Sequence, residues 1–149
     1  MNALAEPHQA AWAALARSHA ALVGRVQDAL TEAGLPPYQW FELLAALGAK
    51  DDGRLTMSEL AEALIMTRGG LTKLFDRLES AGLVSRAACP TDRRSVYAVI
   101  ESPGRKVLDE MRPIVARELD AAFVSRISPA EAKTIAEALE RARGTACAG

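Results

Sequence analysis

The sequence predicts a mainly α-helical fold that carries one small β-hairpin, and three observations point to it. Apolar residues recur at three- and four-residue steps over most of the 149 residues. Gly and Pro fall mostly between those periodic segments. One stretch alone, residues 83–100, changes to strand-like patterning around a polar loop. The length suits one domain or a compact two-part unit. Half of the chain is hydrophobic and a quarter charged, which is globular composition and excludes disorder or a fibrous repeat.

Each element follows from local chemistry. From Leu4 to Ala33 the positions Trp12, Leu15, His19, Leu22, Val26 and Leu30 share one helical face, and Gly34 with Pro36-Pro37 stops the helix. A second helix, Tyr38 to Ala49, carries Trp40, Leu43, Leu44 and Leu47, and Lys50-Asp51-Asp52-Gly53 is a polar turn. Thr56 with Glu59 three residues later is a capping-box spacing that opens a short third helix. A fourth runs from Arg68 to Ser80, with Leu71, Leu74, Phe75 and Leu78 on one face, and Gly82 ends it.

Leu83 to Ala88 and Ser95 to Ile100 are strands, and the polar loop Cys89 to Arg94 makes them a hairpin. Helical period returns after Ser102-Pro103-Gly104 with Val107, Leu108, Met111, Ile114, Val115, Leu119 and Phe123, and Pro113 is expected to kink that helix. Ser128-Pro129-Ala130-Glu131 combines an N-cap, a first-turn proline and a capping-box Glu to open a last helix.

Two short helices about a dozen residues apart, then a hairpin with a basic tip, describe a winged helix-turn-helix flanked by N- and C-terminal helices. In that arrangement the second helix presents its first turn to a DNA major groove. The hairpin reaches the neighbouring minor groove, where negative potential is concentrated. The net charge of −1 conceals this. Residues 1–67 carry 4 basic and 8 acidic groups, residues 68–94 carry 6 basic and 3 acidic, and residues 95–149 carry 8 of each. The basic excess sits on the fourth helix and the hairpin.

The run Leu71-Thr72-Lys73-Leu74-Phe75-Asp76-Arg77-Leu78-Glu79-Ser80-Ala81-Gly82-Leu83-Val84-Ser85-Arg86, followed by Asp92-Arg93-Arg94, resembles the MarR family of bacterial transcriptional regulators. The flanking helices fit the same plan, so the resemblance covers nearly the whole chain. It implies a homodimer joined through helices 4–33 and 102–143, with residues 38–101 as the DNA-binding lobe. It further implies a pseudo-palindromic double-stranded DNA operator, a repressor role and release by a small aromatic or anionic effector.

The sites expected on DNA are Thr67, as helix cap and phosphate ligand, then Arg68, Gly69, Thr72 and Lys73 in the major groove. Arg94 is expected in the minor groove and Arg93 on phosphate. Arg77 is expected to brace the wing by pairing with Asp92. Gly69 and Gly70 cost about 1 kcal/mol each in a helix but let the backbone approach phosphate. The family often has Leu-Thr after the second wing strand; here it is Ile100-Glu101, so Ser102 is expected to cap the next helix.

For an effector pocket the candidates are Trp12, His19, Tyr38 and Trp40, against the alternative that they are core and dimer packing. Phe41 follows Trp40 where the urate-responsive branch has Asp, so urate is not supported.

Other chemistry is sparse. His8 and His19 lie about three helical turns apart, ~16 Å along an axis, and no cluster has metal-ligand spacing, so no metal or cofactor is expected. No nucleophile, phosphate-loop or dinucleotide motif is present, and an enzyme is not expected. Cys89 lies beside Arg86 and the Arg93-Arg94 tip, where positive charge would lower its pKa; a redox-responsive regulator is therefore an alternative. Another is a protein-interaction module with a vestigial DNA surface. Cys147 is expected to be incidental. Apolar stretches reach about 7 residues, far below the ~20 of a membrane helix, and no secretory signal is read, so the chain is expected to be cytoplasmic.

Overall fold

The structure, a computed structural model, describes residues 5–144. In chain order the elements are α1 (Glu6–Glu32), α2 (Tyr38–Gly48), β1 (Arg54–Thr56), α3 (Met57–Leu64), α4 (Arg68–Ser80), β2 (Val84–Ala88), β3 (Val96–Ile100), α5 (Ser102–Ala122), a 3-10 turn (Val124–Arg126) and α6 (Pro129–Ala142). The mainly helical class with a β-hairpin wing is as the sequence predicts. One strand is new: β1 pairs antiparallel with β3, giving a three-stranded sheet of order β1-β3-β2 with Leu55 opposite Ala98 and Val84 opposite Ile100.

Two cores form. The larger one packs α2, α3 and α4 against the sheet through Leu43, Leu44, Leu47, Leu60, Leu71, Phe75, Leu78 and Ala98, and α5 contributes Leu108. The smaller one joins α1 to α5 through Val26, Leu30, Met111 and Val115. Between them, α5 starts hard against the lobe: a side chain at Gly104 would intrude on the Leu83 carbonyl and meet Ile100 Cγ1 at 3.0 Å. The sequence signals for both capping boxes hold, since Thr56 accepts from Glu59 N at 3.1 Å and Ser128 accepts from Glu131 N at 3.3 Å.

Two expectations change. Ser102 does not cap α5; Glu101 occupies that position without a side-chain cap, its carboxylate instead accepting the Ser85 hydroxyl. Phe123, read from the sequence as part of the apolar stripe of α5, lies outside that helix, which includes Pro113 and ends at Ala122. The first half of α1 and all of α6 bury nothing: Trp12 is 65% exposed, and Ile135 and Leu139 of α6 also face outward.

Candidate nucleic-acid interface

The interface is built on α4. Its buried stripe, Leu71, Leu74, Phe75 and Leu78, fixes the rotation of the helix and leaves Arg68, Gly69, Thr72, Lys73 and Arg77 on the outer side. Thr67 caps it, Oγ1 accepting the Gly70 N–H at 3.1 Å. The Thr72 hydroxyl donates to the Arg68 carbonyl at 2.8 Å, so only its oxygen lone pairs remain available to a partner. The turn before α4 contains Ile65 in the left-handed region, φ 52°, an uncommon place for a β-branched residue.

The wing loop is held from within. Asp92 accepts the Arg94 N–H at 2.9 Å and the Ser95 hydroxyl at 3.1 Å, while the Ser95 N–H reaches the Asp92 carbonyl at 3.2 Å. This leaves the exposed Arg93 and Arg94 side chains free at the tip. Arg68, Lys73, Arg77, Arg93 and Arg94 form no side-chain hydrogen bond or ion pair with any described residue. Arg68 and Thr72 of α4, Ser58 of α3 and Arg94 of the wing line one open groove of about 570 Å³. Thr67 and Gly69 lie at the α4 start beside it, whereas Lys73 and Arg93 are exposed outside its lining. No side chain of this protein comes within 4 Å of a Cβ placed on Gly69, so the fold itself does not require glycine there.

The expected Arg77–Asp92 brace is absent. Asp92 is occupied by its own loop, and the brace is Arg86, whose guanidinium pairs with Asp76 at 2.7 Å and with Glu79. Sequence reasoning passed over Arg86 in this role. The available signal was Asp76 and Glu79, three residues apart on one helical face and in need of a cation.

The effector candidates are dispersed. Tyr38 stacks on Phe41 with ring centres 5.8 Å apart and packs on the α1–α5 core, whereas Trp40 packs on the lobe core. Burial raises the Tyr38 pKa, and Glu42 adds to it. Burial also raises that of Glu42, opposed by the charge of His19, which places His19 near the α1–α2 junction. Trp12 stands apart on the exposed part of α1. The Cys89 thiol pKa is lowered, but by the Thr91 hydroxyl 3.4 Å away and its backbone N–H, not by the arginines. Cys147 lies outside the described residues.

No helix among the described residues is long and apolar enough to cross a membrane. Residues 33–95 match the MarR family. The transcriptional regulator MhqR of Bacillus subtilis is 30% identical over 127 residues, covering 85% of each chain. The MarR regulator Sco3205 of Streptomyces coelicolor, solved in complex with DNA, superimposes with a TM-score of 0.85 at 26% identity, over 96% of this chain and 89% of that one. NadR, solved with 4-hydroxyphenylacetate, gives a TM-score of 0.75 at 25% identity, over 95% and 96%. The unpaired basic face of α4 and the wing thus stands in a known setting: this chain belongs to the MarR family of DNA-binding transcriptional regulators.

Proposed function

We propose that the protein is a cytoplasmic homodimeric repressor that holds a pseudo-palindromic operator and leaves it when a small aromatic or anionic effector binds. The observation that carries the reading is the set of cations without partners among the described residues, with Arg68 and Arg94 facing one groove from two different elements. Arg68, Lys73 and Thr67 would meet the major-groove edge and phosphates, Arg93 a phosphate, and Arg94 the adjacent minor groove. Gly69, bare on its outer side, would admit the phosphate backbone closely.

A second copy is called for by the terminal helices. Trp12, Leu15, Phe123, Val124, Ile135 and Leu139 are exposed apolar residues of α1, α6 and the segment before it. A groove of about 870 Å³ between α1 and the end of α5, lined by Leu22, Ala29, Phe123 and Ile127, could receive a helix. Dimerisation would set two α4 helices about one DNA turn apart, ~34–36 Å. An effector that prefers a different spacing would shift the equilibrium by its differential affinity. The likeness to NadR supports a small aromatic acid, with His19 and Tyr38 beside the α1–α2 junction as the residues to vary first.

The test is Arg94→Ala, measured by fluorescence anisotropy on a duplex selected from a random-sequence pool by the wild-type protein. Binding is expected to weaken roughly tenfold while sedimentation still shows a dimer. Unchanged affinity would remove the wing from the interface. A steep fall of affinity with salt is expected for phosphate contacts; salt-insensitive binding would favour a protein partner instead.

A further inference from the structure

Arg86 belongs to β2, yet its partners lie on α4. Nη2 is 2.7 Å from Asp76 Oδ1, Nη1 donates to the Glu79 carboxylate, and Cζ lies 4.8 Å from the centre of the buried Phe75 ring. Asp76 and Glu79 lie one turn apart on α4, so a single planar guanidinium engages both carboxylates and an aromatic ring. A lysine, with a compact charge and no planar fork, could not reproduce that arrangement.

A two-stranded ribbon is marginal alone, and what fixes its angle to the rest of the molecule matters. β3 is held in the sheet by β1, and Ser85 of β2 is tied to Glu101 at the start of α5. Arg86 is the polar tie between β2 and α4 among the described residues. Beyond it the strand leads to Cys89 and the loop in which Asp92 holds the Arg94 backbone.

We propose that Arg86 is a positioning residue for DNA reading. By clamping β2 to the outer face of α4 it sets the distance between Arg68 and Thr72 on one side of the groove and Arg94 on the other. Asp76 and Glu79 hold its charge away from phosphate. The inference rests on the reading of Arg94 as a DNA contact.

Arg86 also lines the shared groove, so direct contact with DNA is the competing account. The double variant Asp76→Asn/Glu79→Gln separates the two, because it releases Arg86 without removing the guanidinium. The readout is the factor by which Arg94→Ala weakens binding to the selected duplex, measured by anisotropy at fixed salt in each background. A through-space change from the lost carboxylates cancels in that ratio. The factor is expected to be about tenfold in the wild-type background and below about twofold in Asp76→Asn/Glu79→Gln. Arg86→Lys, which keeps the charge but not the fork, is expected to behave like the double variant. A factor that stays near tenfold in both backgrounds would overturn the positioning role. If Arg94→Ala has no effect in the wild type, the wing reading itself fails and takes this inference with it. Thermal melts of every variant confirm that folded protein is being compared.

Discussion

The winged lobe and the terminal helices solve the problem of burial in opposite ways. In the lobe, α2, α3, α4 and the sheet enclose fully buried residues such as Leu44, Leu60, Phe75 and Leu78, and the helix starts at α3 and α4 are capped by Thr56 and Thr67. At the termini, α6 has a good N-terminal cap and an apolar stripe but no buried residue, and α1 buries only Val26 and Leu30 near its end. Local signals are equally strong in both regions. What differs is whether the chain itself supplies the other side of the apolar face. The lobe is complete within one chain; the termini leave apolar faces exposed, as the proposed dimer requires.

The largest expected effect contrasts the two. Phe75→Ala should cost about 3–5 kcal/mol, since it empties the centre of the lobe and also removes the ring under Arg86. That penalty, read as a shift in thermal midpoint, should be the same at low and high protein concentration. Ile135→Asp with Leu139→Asp changes two residues that are exposed in the single chain. Its effect should instead appear as dissociation in sedimentation and as a midpoint that falls with dilution. A double Asp variant that stays dimeric would show that α6 is not at the interface.

A smaller effect tests the joint between the regions. Gly104→Ala places a methyl group against the Leu83 carbonyl, and a backbone carbonyl cannot rotate aside. Overpacking of this kind costs about 1–3 kcal/mol, reduced by the better helix propensity of Ala. Urea melts should therefore show a loss of stability. Gly69→Ala is the control, because it has open space and should stabilise the free protein slightly.

The same contrast explains what could be read in advance. The α4 boundaries and both capping boxes were legible because caps and a 3.6-residue stripe are local. The basic excess of α4 and the wing was legible from charge bookkeeping by segment. β1 was not, because three residues cannot display a period and Thr56 reads as a helix cap. The wing brace was assigned to Arg77 instead of Arg86 because side-chain pairing across elements depends on rotation and register. Asp92, next to Arg94 and Ser95, found its partners within its own loop before any helix could offer one. The effector candidates suffered from the same limit: Tyr38 and Trp40 are two apart in sequence, yet point into different cores.

The smallest effects lie where α1 meets its neighbours, and they carry opposite signs in pH. Glu118 of α5 bonds Arg25 of α1 at 2.7 Å and Arg117 at 3.0 Å, and those partners, Arg25 first, hold its carboxyl below the usual range. A depressed carboxylate pKa contributes stability that is present above the unfolded value and is lost as pH falls through the folded one. Glu42 of α2 is the reverse, since burial raises its pKa more than His19 lowers it. Its ionisation costs stability as pH rises through the folded value, and protonation relieves that cost. Glu118→Gln should therefore lower the thermal midpoint at pH 7, by an amount that shrinks as the pH falls through the folded value of the wild-type carboxyl. Glu42→Gln should raise the midpoint at pH 7 and have little effect in acid. Shifts of the same sign for both variants at pH 7 would mean that the contacts of α1 with α2 and α5 are not governed by these two carboxylates.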